Sequence, residues 1–286
     1  MLLVTGGTGQ LATALARARP VTVVGRPEFD FDRPETLGAT FEAVQPSLVI
    51  NAAAYTAVDR AEQEKAAATR ANRDGPAALA ALCARAGVPL IHISTDYVFD
   101  GDKGAPYVET DPTGPTGVYG ASKLAGERAV LDSGARAAIL RTAWVYGPVG
   151  KNFVLTMLGA ARKTGQVRVV ADQRGCPTAT PDLALAVLAV ADAMLTGWRD
   201  AFGGVFHACG GGETTWHGLA VAVFEEARRH GLPSAEVAAI RTEDWPTPAR
   251  RPPDSRLDCG KLAQVFGARL PHWRDALTRV VDDVAA

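Results

Sequence analysis

An open, doubly wound parallel α/β sheet with a smaller, discontinuous α/β lobe is the fold class this sequence predicts, on three observations. Strand-like apolar runs alternate with helix-like segments through the first half of the chain. A glycine-rich turn joins the first strand directly to the first helix, and beyond Gly147 the alternation loosens without any linker. At 286 residues the chain is long enough for one large or two unequal cores.

Met1 to Thr5 reads as the first strand and runs into Gly6-Gly7-Thr8-Gly9-Gln10-Leu11-Ala12. A helix follows to about Arg19, Pro20 stops it, and Val21 to Gly25 is the second strand. Leu48 to Ala52 is the third, leading into the small residues Ala52, Ala53 and Ala54 before Tyr55 and Thr56. Arg70 to Gly87 reads as a helix closed by glycine, Pro89 to Ser94 as a strand, and Ala137 to Thr142 as another after the helix of Tyr119. Further on come a helix from about Asn152 to Thr164, a strand at Val167 to Val170, and the turn Gly175-Cys176-Pro177-Thr178. Leu183 to Leu195 is a packed helix, too short to span a bilayer and interrupted by Asp192. Gly204 to Ala208 is a sheet strand, and Trp216 to His230 is an amphipathic helix capped by Thr214 or Thr215. The expected division gives residues 1–147 with roughly 167–210 to the sheet domain. Roughly 148–166 and 211–286 then form the lobe that closes over its ligand edge.

The glycine turn is in the right context for a Rossmann-type dinucleotide site, with a strand before it and a helix after it. Gly6 allows the tight turn, Gly9 lets backbone approach a pyrophosphate, and Ala12 allows close packing of helix on sheet. Where an acidic residue would bind ribose hydroxyls, the second strand ends in Gly25-Arg26. Arg26 suits a 2′-phosphate, so NADPH is the expected cofactor, with NADH an accepted second.

Composition narrows the remaining classes. With 30 basic and 31 acidic residues the net charge is -1, which gives no footprint for nucleic acid or an anionic membrane. The cysteines, Cys83, Cys176, Cys209 and Cys259, have neither metal-ligand spacing nor the density of a disulfide scaffold. A reducing compartment and a cytoplasmic location are the expectation.

Chemistry enters with Tyr119 and Lys123, four residues apart and therefore on one helix face. A phenol is a poor acid near neutrality, and an adjacent ammonium is expected to bring its pKa toward the working range. The spacing alone is common. It gains weight from the glycine turn and from Ser94-Thr95-Asp96-Tyr97 at the end of an apolar run.

These segments resemble the extended short-chain dehydrogenase/reductases. Gln10-Leu11, Thr56-Ala57-Val58-Asp59-Arg60-Ala61-Glu62, Arg141 to Tyr146, Gly175 to Thr178 and Pro246 to Pro252 narrow the resemblance to the dTDP-4-dehydrorhamnose reductases over nearly the whole chain. That resemblance implies NADPH-dependent reduction of the 4-keto group of dTDP-6-deoxy-L-lyxo-4-hexulose to dTDP-L-rhamnose. It makes Tyr119 the proton donor and Thr95 a holder of the substrate oxygen, and has Lys123 bind the nicotinamide ribose. It puts Asp96, Tyr97, Trp144 and Arg250 against the sugar nucleotide. Gly6, Gly9, Gln10, Leu11, Arg26, Asp30, Phe31, Ala52, Ala53, Ala54, Tyr55 and Thr56 would line the cofactor, and Asn72 would organise the site. Some family members dimerise through a magnesium ion held by glutamates. Ala14 and Pro181 stand at two of those positions, so no metal is expected, and the chain is expected to be a monomer or a homodimer without a metal bridge.

Two other readings stay open. A sugar-nucleotide 4-epimerase would share the fold and the Tyr/Lys pair while keeping NAD bound; Arg26 and the later motifs count against it. A non-catalytic subunit resembling the regulatory beta subunit of methionine adenosyltransferase would use the fold to bind a partner, and the intact Tyr119, Lys123 and Thr95 count against that.

Overall fold

The computed structural model describes residues 1–286. Its centre is a six-stranded sheet in which every pairing is parallel. The chain begins with β1 (Leu2–Thr5), α1 (Gln10–Ala18), β2 (Thr22–Val24), α2 (Pro34–Val44) and β3 (Leu48–Asn51). There follow α3 (Val58–Ala61), α4 (Lys65–Thr69), α5 (Gly75–Ala86), β4 (Leu90–Thr95), α6 (Val118–Asp132) and β5 (Ala137–Thr142). After β6 (Val145–Tyr146), α7 (Phe153–Ala161), β7 (Gln166–Val170), β8 (Arg174–Gly175), β9 (Thr178–Ala179) and α8 (Thr180–Thr196), the strand β10 (Gly204–His207) returns to the sheet. The order across the sheet is β10-β5-β4-β3-β1-β2. Strand order therefore reverses between β1 and β3, and that switch point is where open α/β sheets bind ligands.

Successive residues of the strands face opposite cores, as parallel strands buried on both sides require. Leu2, Val4 and Ile50 pack with α1 and α8 on one face. Leu3, Val49 and Ile139 pack on the other with Leu37 of α2, Leu79 of α5 and Val130 of α6. The lobe has its own core, built from Val154 and Leu158 of α7, α9 (Trp216–Arg229) and the final helix.

Segment 167–210 does not belong wholly to the sheet domain. The strand β7 pairs with β12 (Glu236–Ile240), and β8 pairs with β11 (Thr214–Thr215), both away from the central sheet. Only α8 and β10 of that stretch join the sheet. Conversely, α10 (Gly260–Phe266) lies within the stretch expected to be lobe, yet its Leu262 is buried in the sheet core, and only α11 (Trp273–Ala285) goes back to the lobe. The apolar pattern of β7 marks it as a strand but carries no information about its partner. The expected helix at 70–87 also differs in form. It starts earlier, at Lys65, and contains a π-helical stretch over Arg70–Asp74 before α5. No helix is long and apolar enough to cross a membrane.

Candidate active site

A cavity of about 1030 Å³ opens along the carboxyl ends of β1, β3, β4 and β5. Of the residues expected to act in catalysis, to bind cofactor or substrate, or to organise the site, only Asn72 and Arg250 fail to line it. Its first wall is backbone. Gly6 has φ +110, and a Cβ there would lie 3.1 Å from the Ala52 carbonyl group, while one on Gly9 would lie 3.0 Å from Gly6 O. No side chain caps α1, and its first turn carries no acidic residue, so its N–H groups are open to an anion in the cavity. This cradle fits a dinucleotide pyrophosphate. Gly25 lies so close beneath it that a Cβ would come 2.8 Å from Gly7 Cα. That contact, invisible in sequence, excludes an acidic side chain at this position. Beside it, exposed Arg26 reaches Asp30 at 3.8 Å.

The second wall carries the ionisable groups. Lys123 is buried and donates from Nζ to Ile93 O at 2.7 Å, which leaves it two further N–H donors. Burial lowers its pKa to about 8, against the opposing pull of Glu127 one turn along α6. Glu127 is itself buried, held by Arg141 Nη2 at 2.7 Å and by the Ser94 hydroxyl at 2.5 Å. Burial likewise pushes Tyr119 up to about 12, with the Thr95 hydroxyl pulling it down and Asp96 adding to the rise. The expected lowering of the phenol by Lys123 is therefore not what the site produces. The ammonium is anchored on a backbone carbonyl and is itself short of solvation.

Thr95 combines two structural roles. Its hydroxyl lines the cavity, yet it also donates to Asp96 at 3.0 Å and accepts from the Tyr97 N–H at 3.2 Å, capping a short 3₁₀ turn. Asp96 is buried, and burial raises its carboxyl to about 6 against the Ser255 and Thr95 hydroxyls. Tyr97 meets Tyr119 edge to face, ring centres 5.7 Å apart. Asn72 sits just behind this wall on the π-helical stretch. It accepts the Tyr55 N–H at 2.8 Å, and its amide donates to Tyr55 O at 3.0 Å and to Ser122 of α6 at 2.9 Å. A π-helical turn at such a junction is typical of functional sites.

The third wall comes from the lobe and is aromatic. Trp144 has φ +46, a conformation a bulky residue adopts only when its surroundings impose it. Its ring stacks on Trp216, centres 3.6 Å apart and 5° from parallel, with Phe153 against the other tryptophan at 4.7 Å. A Cβ on Gly175 would strike the Trp144 indole at 2.3 Å, which explains the glycine in that turn. Trp216, Phe153 and Lys151 also line the cavity and were not singled out. Trp216 was legible only as the start of an amphipathic helix, because its stacking partner lies 72 residues away.

Arg250 stands apart from the cavity wall. It is exposed, and its carbonyl accepts from Thr116. Its neighbour Arg251 is the residue tied in, bidentate to Asp59 at 3.0 and 2.8 Å. Ala14 and Pro181 share a separate cleft of about 260 Å³ in which Asp283 is the single carboxylate.

The whole chain, residues 1–286, matches the family model described as the RmlD substrate binding domain. A dTDP-4-dehydrorhamnose reductase of Sinorhizobium fredii is 46% identical over 98% of this chain and 96% of its own length. The crystal structure of a dTDP-4-dehydrorhamnose reductase from Clostridium acetobutylicum superposes with a TM-score of 0.89 at 35% identity, covering 98% of each chain. That of the Bacillus anthracis enzyme, in complex with NADP, gives 0.90 at 30% identity over 99% of this chain and 98% of that one. With its full length matched by the family model and by these relatives, the chain belongs to the dTDP-4-dehydrorhamnose reductase family.

Proposed function

We propose that this protein reduces the 4-keto group of dTDP-6-deoxy-L-lyxo-4-hexulose to give dTDP-L-rhamnose, with NADPH as reductant and Tyr119 as proton donor. The observation that carries this is the meeting of the uncapped glycine cradle with Thr95, Tyr119 and Lys123 on one cavity at the sheet's switch point. NADPH bound in the cradle supplies the hydride that reduces C4. Gly6, Gly9 and the N-terminus of α1 would hold its diphosphate, Arg26 its 2′-phosphate, and Lys123 its nicotinamide ribose.

As negative charge develops on the 4-oxygen, the Thr95 hydroxyl orients it and Tyr119 Oη gives up its proton. A phenol near 12 is fully protonated at neutral pH, yet it is more acidic than the alcohol it creates, so transfer runs toward product. The Trp144 and Trp216 pair offers a flat apolar face to the deoxysugar or base, and Asp96 and Tyr97 frame its polar edge. In place of Arg250, the cationic side chains on the cavity wall that could meet a sugar-nucleotide diphosphate are Lys151 and Arg60, the latter already paired with Glu64 at 2.5 Å.

The test is loss of NADPH absorbance on addition of the 4-keto sugar nucleotide, with dTDP-L-rhamnose identified as product. Stoichiometric oxidation supports the reading. Redox-neutral interconversion of sugar epimers with retained NAD, or no turnover, would replace it. We place the enzyme in the cytoplasm, in keeping with its four free cysteines, and as a monomer or a dimer without a metal bridge, because Ala14 and Pro181 offer no ligand oxygen from their side chains. Chelator should leave activity and sedimentation unchanged; activity lost in EDTA and restored by magnesium would contradict this.

A further inference from the structure

Helix α6, which carries Tyr119 and Lys123, begins without a cap of its own. Gly117 stands at its N-cap and makes no side-chain bond, yet the first N–H of the helix, that of Val118, donates to Glu62 Oε1 at 2.8 Å. Glu62 follows α3, 56 residues earlier in the chain. A Cβ on Gly117 would lie 2.8 Å from the same carboxylate oxygen, so glycine is what leaves room for it. A carboxylate here satisfies an orphan helix donor and sits favourably against the positive end of the helix dipole.

The segment holding Glu62 is fixed at two more points. Asp59 binds Arg251 of the C-terminal region, and Glu64 accepts the Tyr55 hydroxyl at 2.6 Å. Three carboxylates in one short stretch thus tie together the loop after β3, the C-terminal region and the first turn of α6. The body of α6 is held separately. Gly120 lies so close to Tyr97 O, and Gly126 to Asn72 O, that a Cβ would meet those oxygens at 2.1 and 1.9 Å. Lys123, one turn further in, is anchored on Ile93 O.

We propose that Glu62 is a positioning residue for the proton donor: it holds the first turn of α6 so that Tyr119 presents its hydroxyl to the substrate oxygen. This rests on the reading of Tyr119 as the donor. Removing the acceptor frees the turn bearing Tyr119 and leaves Lys123 in place, so turnover and cofactor binding should separate.

Glu62→Ala, Glu62→Gln, Glu62→Asp and Tyr119→Phe would be compared in the full chain. The measurements are kcat and KM for the 4-keto sugar nucleotide, Kd for NADPH by fluorescence titration, and the thermal midpoint. Glu62→Ala is expected to lower kcat by roughly 10- to 100-fold, the scale of a small misplacement of a reacting group, with the NADPH Kd unchanged. Glu62→Gln keeps an acceptor oxygen and should recover most of kcat. Glu62→Asp, one methylene short, should recover little, and it serves with the Gln variant if the Ala variant does not fold. Wild-type kcat in Glu62→Ala or Glu62→Asp beside an inactive Tyr119→Phe would overturn the inference and leave the proton donor standing. Equal losses in the Ala and Gln variants, accompanied by weakened NADPH binding, would also overturn it. An active Tyr119→Phe would remove the donor assignment and this inference together.

Discussion

The two ends of the cavity are built from different materials. At the end formed by β1, β2 and β3 the wall is backbone, with Gly6, Gly9 and Gly25 so tightly set that a single added carbon meets main chain. At the end contributed by the lobe the wall is side chain, a tryptophan pair stacked at 3.6 Å with Phe153 beside it. A backbone wall binds what every dinucleotide has, its diphosphate, through N–H groups that an added side chain can block but not tune. An aromatic wall binds by area and shape, and can be reshaped residue by residue. Between them on the same cavity stand Thr95, Tyr119 and Lys123, the proposed reaction centre.

The largest effect should come from the middle of that comparison. Tyr119→Phe keeps the ring and its edge contact with Tyr97 but removes the acidic proton, so kcat should fall about 10²- to 10⁴-fold with NADPH Kd unchanged. Near-normal turnover would assign the proton to another group.

Next come substitutions that break one wall and spare the other. Gly6→Val forces a β-branched residue to φ +110 against the Ala52 carbonyl, at a cost of ~1–3 kcal/mol, and NADPH affinity should fall roughly tenfold or more. Trp144→Ala should leave NADPH binding alone and weaken the sugar nucleotide by about 1–3 kcal/mol through lost aromatic contact. Calorimetric titration of each variant with each ligand decides the matter. If both variants lose both ligands equally, the two walls are not independent.

A smaller effect is expected at the rim of the backbone wall. Arg26→Asp exchanges the proposed partner of the 2′-phosphate for a carboxylate that would repel it, and should move the kcat/KM ratio from NADPH toward NADH by roughly tenfold. An unchanged ratio would take Arg26 out of cofactor choice.

The smallest effect is in pH dependence. Lys123 titrates near 8 in the folded protein, below the ordinary lysine value, so the native state binds fewer protons than the unfolded chain above that pH. The group's contribution to stability therefore rises as pH climbs from 8 toward 10, while the ammonium proposed to hold the nicotinamide ribose disappears over the same window. The kcat/KM for NADPH should decline above about pH 8 without loss of fold. Glu127→Gln removes the neighbour that favours the ammonium and should move the decline to lower pH; an unmoved limb would detach it from Lys123.

How much of this was legible depends on distance along the chain. The parallel sheet, the glycine turn and the Tyr119/Lys123 face were readable because each depends on neighbours within a few residues, where strand and helix periodicities act. The partner of β7 was not, since an apolar strand fits any edge in register. Nor was the tying-in of Arg251 rather than Arg250, since the Asp59 that Arg251 binds lies 192 positions away. The pKa of Tyr119 was misjudged for the same reason. Sequence shows the ammonium four residues on, whereas burial, a property of the assembled cavity, decides the direction.

By itself, then, the sequence determined the fold class, the glycine turn and the placing of Tyr119 and Lys123 on one helix face, because these are written in local spacing. Only the tertiary structure decided that Gly25 must lack a side chain, that Trp144 sits at φ +46 on Trp216, that Asn72 ties Tyr55 to α6, and that Glu62 caps the Tyr119 helix. Each of these is a contact between segments apart in sequence: those of Gly25, Asn72 and Glu62 form within the sheet domain, and that of Trp144 with Trp216 forms where the lobe packs against it.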